Sequence, residues 1–413
     1  MWWDLTSLRL PLLAALIFVV PSIAQGNYPN LKNTTNQLIA LWLLCAIVGN
    51  LSSGCGEIGS AMTTQMITVI VALLITDRIV NTETRLFWII ATTALSLGFH
   101  SSTAGFTALT AGGASLYGTG GIGGSFSGGN AFAMGTSITI FLLIFTFQLS
   151  THRDLIYIPK IASSRLALLG SQVVFFIMIV SSIFLVISMF SRGSAIAMFL
   201  GLFLLFLLQK NKFKKSIVAF IVAFIAMPFI PIPEGYEDRI ASAFESDEGE
   251  MEDSAASRPH FWRTASRMVE ENPLGVGLFC YNSYYNEFDD TGGQWGENRS
   301  VHSSHFQILS ETGYLGLFLW VMLHIVSFSK LWIIRKKALI GMPDPKLSNF
   351  YFSLSNSLLC SQVAFLFAGS FYAVALNDVT WVCFIIASCA YSTQKNAIEK
   401  KDKEAELKGA QES

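Results

Sequence analysis

Residues 175–215 read FFIMIVSSIFLVISMFSRGSAIAMFLGLFLLFLLQKNKFKK, and this stretch decides the fold class. Two continuous apolar runs are parted only by Ser191-Arg192-Gly193-Ser194, and the second ends on Lys210, Lys212, Lys214 and Lys215. Each run approaches the ~20 residues that cross a bilayer as a helix. The pattern recurs along the whole chain: 52% of its 413 residues are hydrophobic and 13% are charged, against about a quarter charged in a soluble domain. The apolar runs are unbroken rather than alternating, which excludes a transmembrane β-barrel. A net charge of −1 carries no footprint of nucleic-acid binding.

Working outward, apolar segments at 8–24, 36–52, 59–76, 86–100, 130–149, 167–190, 194–209, 214–230, 306–333, 350–369 and 372–392 predict an all-α polytopic membrane protein with about eleven transmembrane helices. Basic residues mark cytoplasmic loops. Arg78 and Arg85, the Arg153–Arg165 loop, the Lys210–Lys215 cluster, the Lys330–Lys337 cluster and the Lys-rich tail all fall on one side if the N-terminus faces outward and the C-terminus inward. Ser22-Ile23-Ala24-Gln25 has the look of a signal cleavage site, but the segment before the apolar core holds Asp4 and no lysine, so an uncleaved first helix is expected. The chain then divides into membrane helices over 1–230 with a Gly-rich external loop at 101–129, a long external loop at 231–305, membrane helices over 306–392, and a charged cytoplasmic tail at 393–413. The long loop carries more than half of the 28 acidic residues, a solvated composition.

Three features share the outer face in this topology. Arg192 stands where an apolar helix begins, at a depth where a guanidinium has a partner, a task or a snorkelling path to the headgroups. SRPHFWRTASRMVEENPLGVG, 257–277, predicts a short amphipathic helix ending before Pro273, with Arg258, Arg263 and Arg267 along it and a glycine-bearing turn behind. SVHSSHFQILSETGYLGLFLW, 300–320, sets His302 and His305 at a spacing that could share one helical face. No acid lies between the two histidines, and Glu311 stands at no metal-ligand spacing from them, so no metal is expected. Gly313 and Gly316 read as close-packing positions inside a helix. Cys55 and Cys280 lie in loops that could share a compartment, and the sequence leaves their pairing open. Arginines and a histidine on one face suit chemistry on a phosphate-bearing lipid, since arginine grips phosphate bidentately and histidine accepts a proton near neutrality.

R-P-H-F-W-R at 258–263, N-P-L-G-V-G at 272–277, H-S-S-H-F-Q-I-L-S-E-T-G-Y-L-G-L at 302–317 and S-R-G-S at 191–194 together resemble the O-antigen ligase and polymerase superfamily. G-F-T-A-L-T-A-G-G at 105–113, G-S-F-S-G-G-N-A-F-A at 124–133 and P-E-G-Y-E-D-R-I at 233–240 are similar, more narrowly, to O-glycosylation ligases that accompany exosortase systems. Ser303 stands where the superfamily usually has Asn, His305 where it has Tyr, and Thr103 where related Gly-rich loops carry Lys; the acid before Asn130 is absent. The resemblance implies a GT-C-like glycosyltransferase of the bacterial inner membrane whose site faces the periplasm. Its donor would be a glycan on undecaprenyl diphosphate, its acceptor a glycan, lipid or protein hydroxyl, with membrane lipids around it and no cofactor or metal. It further implies that Arg192 and Arg258 hold the diphosphate, with Arg263 and Arg267 as secondary cations, and that His302 orients or deprotonates the acceptor in an inverting displacement. His305 and Glu311 are secondary candidates. A polymerase extending a lipid-linked glycan is the alternative within the superfamily. A flippase or exporter is the alternative outside it, and that class would concentrate charge near the midplane.

Overall fold

A computed structural model describes residues 10–112, 116, 121, 128–210, 251–342 and 344–412. The described residues are all-α: α1 (Leu10–Ala24), α2 (Thr34–Ser52), α3 (Glu57–Ile79), α4 (Glu83–Thr110), α5 (Gly129–Thr146), α6 (Leu149–His152), α7 (Arg165–Ser188), α8 (Arg192–Leu208), α9 (Met251–Glu271), α10 (Tyr281–Phe288), α11 (Ser304–Ile340), α12 (Pro345–Gly369) and α13 (Asp378–Glu412), with one 3-10 turn at Lys160–Ala162. Six of these helices, α2, α3, α5, α7, α11 and α12, are long and apolar enough to cross a membrane, and α8 is apolar but shorter. The chain is a multi-pass membrane protein. The expected span at 214–230 and the P-E-G-Y-E-D-R-I motif at 233–240 lie outside the described residues.

Several boundaries differ from the sequence reading, each for a local reason. The helix expected at 86–100 runs on to Thr110, because the serines and threonines of 101–110 satisfy their hydroxyls on carbonyls one turn back, as Thr107 does on Thr103 and Thr110 on Phe106. Residues 101–110 are therefore helix and not part of a Gly-rich loop. The charged tail continues as helix to Glu412, an extension of α13 that its Ala, Glu and Lys content favours. The amphipathic helix expected within 257–277 starts at Met251 and ends at Glu271, with Pro259 inside it.

The helices pack as two compact units. One unit comprises the described residues within Thr82–Glu248, Leu331–Gly369 and Ala390–Ser413. Its centre is α5, buried on all sides among α4, α7, α8 and α12, as a helix apolar around its whole circumference must be. Glycines set the close approaches there: a Cβ at Gly105 would lie 1.9 Å from the Ser181 carbonyl oxygen, and one at Gly201 would lie 2.3 Å from the Phe141 ring. Hydroxyls supply the polar contacts, Ser101 Oγ to Ser182 Oγ at 3.0 Å and Ser137 Oγ to the Ser194 carbonyl at 3.1 Å.

The other unit comprises the described residues within Met1–Asn81, Gly249–Lys330 and Ser370–Cys389. Trp42, Trp381 and Trp320 stack in its core, with successive ring centroids 4.3 and 5.7 Å apart. Around Lys330 the unit closes on a polar knot in which the ammonium donates to Thr35 Oγ1 at 2.8 Å, and Asn36 donates to Asp77 at 2.7 Å. This unit carries α9, α10 and the start of α11, and with them the histidine and most of the arginines singled out above.

Candidate active site

The site begins with a docked turn. Pro273 breaks the helix after Glu271, and the chain reverses through Gly275 and Gly277, both at positive φ (89° and 94°). The turn lands on a kink in α11. Gly313 has φ 73° and ψ −175°, which interrupts the helical ladder and frees the carbonyls of the turn before it. The Val276 N–H donates to the Ser310 carbonyl at 2.9 Å, and the Gly277 N–H to the Glu311 carbonyl at 3.2 Å. The two backbones are in contact: a Cβ at Gly275 would sit 2.4 Å from the Glu311 carbonyl oxygen, and a Cβ at Gly313 2.1 Å from that of Pro273. The expectation of two glycines inside a regular helix is thus corrected at Gly313, which is the kink itself; a Cβ at Gly316 would instead meet the side chain of Thr312 on its own helix.

Glu311 belongs to this docking. Its buried carboxyl accepts from the backbone N–H groups of Phe279 and Tyr281 and faces the Gln307 amide at 3.4 Å, while Gln307 Oε1 accepts from the Ala375 N–H at 3.2 Å. Ser304 Oγ donates to the Tyr372 carbonyl at 2.6 Å. The first turns of α11 are thereby tied both to the turn behind α9 and to residues 372–375. On the other side Cys55 and Cys280 form a disulfide, and the Gly54 N–H donates to the Tyr284 hydroxyl at 2.9 Å. The pairing left open by the sequence is a covalent strap between the α2–α3 loop and the start of α10.

His302 precedes α11 and is not part of it. Its φ is 47°, left-handed backbone that costs a non-glycine residue about 1–2 kcal/mol and is held only where surrounding contacts fix it. The sequence expectation that His302 and His305 share a helical face fails for this reason. His305 lies on the helix, where its Nδ1 accepts from the Trp320 indole at 3.3 Å. The His302 ring packs on Phe261, centroids 5.6 Å apart. Phe261 is itself buried in a cluster with Ala265, Met268, Val276, Tyr281, Tyr285 and Val301.

Two cations flank this histidine. Arg258 lies with its guanidinium 5.3 Å from the Phe371 ring centroid, and its Nε is buried without a hydrogen-bond partner. Arg299 lies 5.8 Å from the centroid of Phe261. Burial first, then the charges of Arg258 and Arg299, pull the His302 pKa down to about 4. The imidazole is neutral at neutral pH, with a lone pair available to an incoming hydroxyl.

The other sequence candidates lie elsewhere. Arg263 is exposed on α9. Arg267 is engaged: its Nη1 is 2.7 Å from Asp290, and the hydrogen bond from Arg267 holds the Asp290 carboxyl below its ordinary range. Arg192 is the exposed first residue of α8, in the other unit. Arg299 was missed, since it lies in no helix and no motif; the only signal was a basic residue three positions before the histidine.

His260, Asp289 and Asp290 place ligand atoms within 4.8 Å of one another, a metal-like grouping among the described residues. The chemistry argues for a charge clamp. Asp289 faces Nε2 at 2.9 Å while Asp290 faces Nδ1 at 3.3 Å, so the two carboxylates meet opposite ring nitrogens. Asp290 is already paired with Arg267, and Asp289 accepts from the N–H and hydroxyl of Thr291 and from the Gly293 N–H. Burial raises the Asp289 pKa, yet those donors outweigh it and leave it below the usual carboxylate range.

No curated protein compared with the chain matches it. Residues 176–321 match the family model described as O-antigen ligase, a segment that includes Arg192, Arg258 and His302. Over that segment the chain is similar to a membrane glycosyltransferase-like enzyme that takes its glycan from a lipid-linked donor.

Proposed function

We propose that the protein moves a glycan from undecaprenyl diphosphate to an acceptor hydroxyl at the periplasmic face of the bacterial inner membrane. The observation that carries this reading is the pairing of Arg258 with His302: a guanidinium with a buried, unpartnered Nε beside a neutral imidazole. Arg258 has donors for an anion and no carboxylate within ion-pair reach among the described residues. As the C1–oxygen bond to the diphosphate breaks, the bond's electrons pass to the leaving phosphate oxygen, and a fixed guanidinium stabilises that charge. The acceptor oxygen attacks C1 from the opposite face, which inverts the anomer. His302 accepts a hydrogen bond from the hydroxyl and receives its proton as the new bond forms.

Outward orientation is supported by the Cys55–Cys280 disulfide, since such bonds persist in oxidising compartments. It is also supported by the basic clusters, which fall together on the opposite side. The ligase reading over the polymerase reading, and the kinship with exosortase-associated ligases, rest on the sequence motifs alone.

The test is reconstitution of the purified chain with a lipid-linked oligosaccharide and mass analysis of the product. His302→Ala should abolish transfer while donor binding persists, and Arg258→Ala should weaken donor binding; the same assay on Arg192→Ala tests the sequence expectation for that residue. Normal transfer by His302→Ala sinks the assignment. Glycan lengthened on the lipid carrier would instead identify a polymerase.

A further inference from the structure

Resting on that reading of Arg258 and His302, we propose that Arg299 is the second cation that grips the donor, taking the phosphoryl group that Arg258 does not. In this arrangement Arg267, closed into an ion pair with Asp290, has no part in holding the diphosphate.

The arginines differ first in whether a carboxylate neutralises them. Arg267 is closed into an ion pair with Asp290. Arg299 has no carboxylate within ion-pair reach among the described residues, and its guanidinium rests near the same Phe261 ring that carries His302. Both guanidinium groups are close enough for their charges to act on the His302 imidazole. A single phosphate needs one such fork; a diphosphate presents two adjacent phosphoryl groups and suits two.

The loop that carries Arg299 is also built to hold it. The preceding residue, Asn298, has a left-handed φ of 52°, a conformation asparagine tolerates better than most. Its N–H donates to Asn286 Oδ1 at 2.8 Å, and its own side-chain oxygen faces Asn286 Nδ2 at 3.4 Å, which pins the loop to α10. The arginine stem then folds back over Gly296, where a Cβ would sit 3.6 Å from Arg299 Cδ. Gly296 itself has φ 85°, so both the turn and the stem restrict where the guanidinium points. Arg299 is exposed, and on an unanchored loop it would have neither restraint.

The experiment uses the full chain in nanodiscs, with undecaprenyl diphosphate and undecaprenyl monophosphate as probes. Wild type should prefer the diphosphate. Arg299→Ala should raise the Kd for the diphosphate about 10–100-fold, the range of a lost charge-assisted contact, and affect the monophosphate less. Arg299→Lys, which keeps the charge and the fold but loses the fork, should retain part of the affinity and lose part of the preference. A second readout comes from His302: in Arg299→Ala the acid limb of kcat/KM should move upward, because one of the two cations holding the imidazole neutral is gone. If wild type and Arg258→Ala differ as expected but Arg299→Ala and Arg299→Lys both match wild type, the inference about Arg299 fails and the reading of the site stands. If wild type binds neither lipid, the reading itself fails and this inference with it.

Discussion

Lowering the pH should weaken this protein through His302 before it acts on most carboxylates, and the size of the effect follows from the structure. The folded-state pKa is about 4 against an ordinary 6.5, with burial the largest cause and Arg258 and Arg299 next. Between those values the unfolded chain binds a proton that the folded chain refuses, so stability falls as pH falls. The contribution is fully present above 6.5 and gone below about 4. At 1.36 kcal/mol per unit, the full swing is about 3 kcal/mol. The measurement is thermal unfolding of the detergent-solubilised chain from pH 8 to 4, for wild type and for His302→Gln, which fills similar space without titrating. The difference between the two curves should change across that window. Kinetics gives an independent view: kcat/KM reports the free enzyme and should keep its acid limb near 4, whereas kcat reports the donor complex. A bound diphosphate opposes the two cations and should move that limb upward. A difference curve flat from pH 8 to 4, together with limbs of kcat and kcat/KM that coincide near 6.5, would refute the reasoning.

Two further outcomes are expected. Gly275→Ala and Gly313→Ala should each destabilise the protein by more than the ~1–2 kcal/mol of a left-handed alanine, because each new Cβ meets backbone that cannot move independently, while Gly316→Ala meets only the Thr312 side chain and should cost less; equal melting temperatures for the three would contradict the docking described. Cys55→Ser should lower stability by about 2–5 kcal/mol through the loop it opens, with wild type in reductant matching the variant; the link spans 225 residues.

The helices were largely legible because a bilayer demands long, unbroken apolar runs: each of the first seven expected segments overlaps a described helix, and four of those helices, α2, α3, α5 and α7, are long and apolar enough to cross a membrane. The boundaries at Thr110 and Glu412 were not, since polar residues satisfied within a helix look the same in sequence as polar residues in a loop. At the site, Arg258 and His302 were found through motif order; the structure sets Arg258 by Phe371 and His302 by Phe261, with the Arg258 charge acting on the imidazole. Three things were hidden. The non-helical backbone of His302 depends on tertiary contacts that no local propensity announces. Glu311, a titratable group beside a motif histidine, reads as a candidate acid until the N–H groups of Phe279 and Tyr281 are seen to occupy it. The disulfide joins residues from distant parts of the chain, and proximity cannot be read from spacing.

The four arginines of residues 251–305 show what sequence could not weigh. Arg258, Arg263, Arg267 and Arg299 are chemically alike, and three of them lie on one helix within a motif region. A carboxylate sets one of them apart: among the described residues only Arg267 has an ion-pair partner. Asp289 and Asp290, at the end of α10, reach His260 and Arg267 and hold α9 and α10 together as a charge clamp. That clamp pairs the positive charge of Arg267 with Asp290. Among the described residues no acid lies within ion-pair reach of Arg258 or Arg299, and the charge of both is felt by the His302 imidazole. In the proposed reading the fold puts one kind of side chain to two uses, structural at Arg267 where a carboxylate has been placed and ligand-facing at Arg258 and Arg299. The boundary between the uses runs through Phe261, which packs toward the clamp through Tyr285 and toward the site through His302.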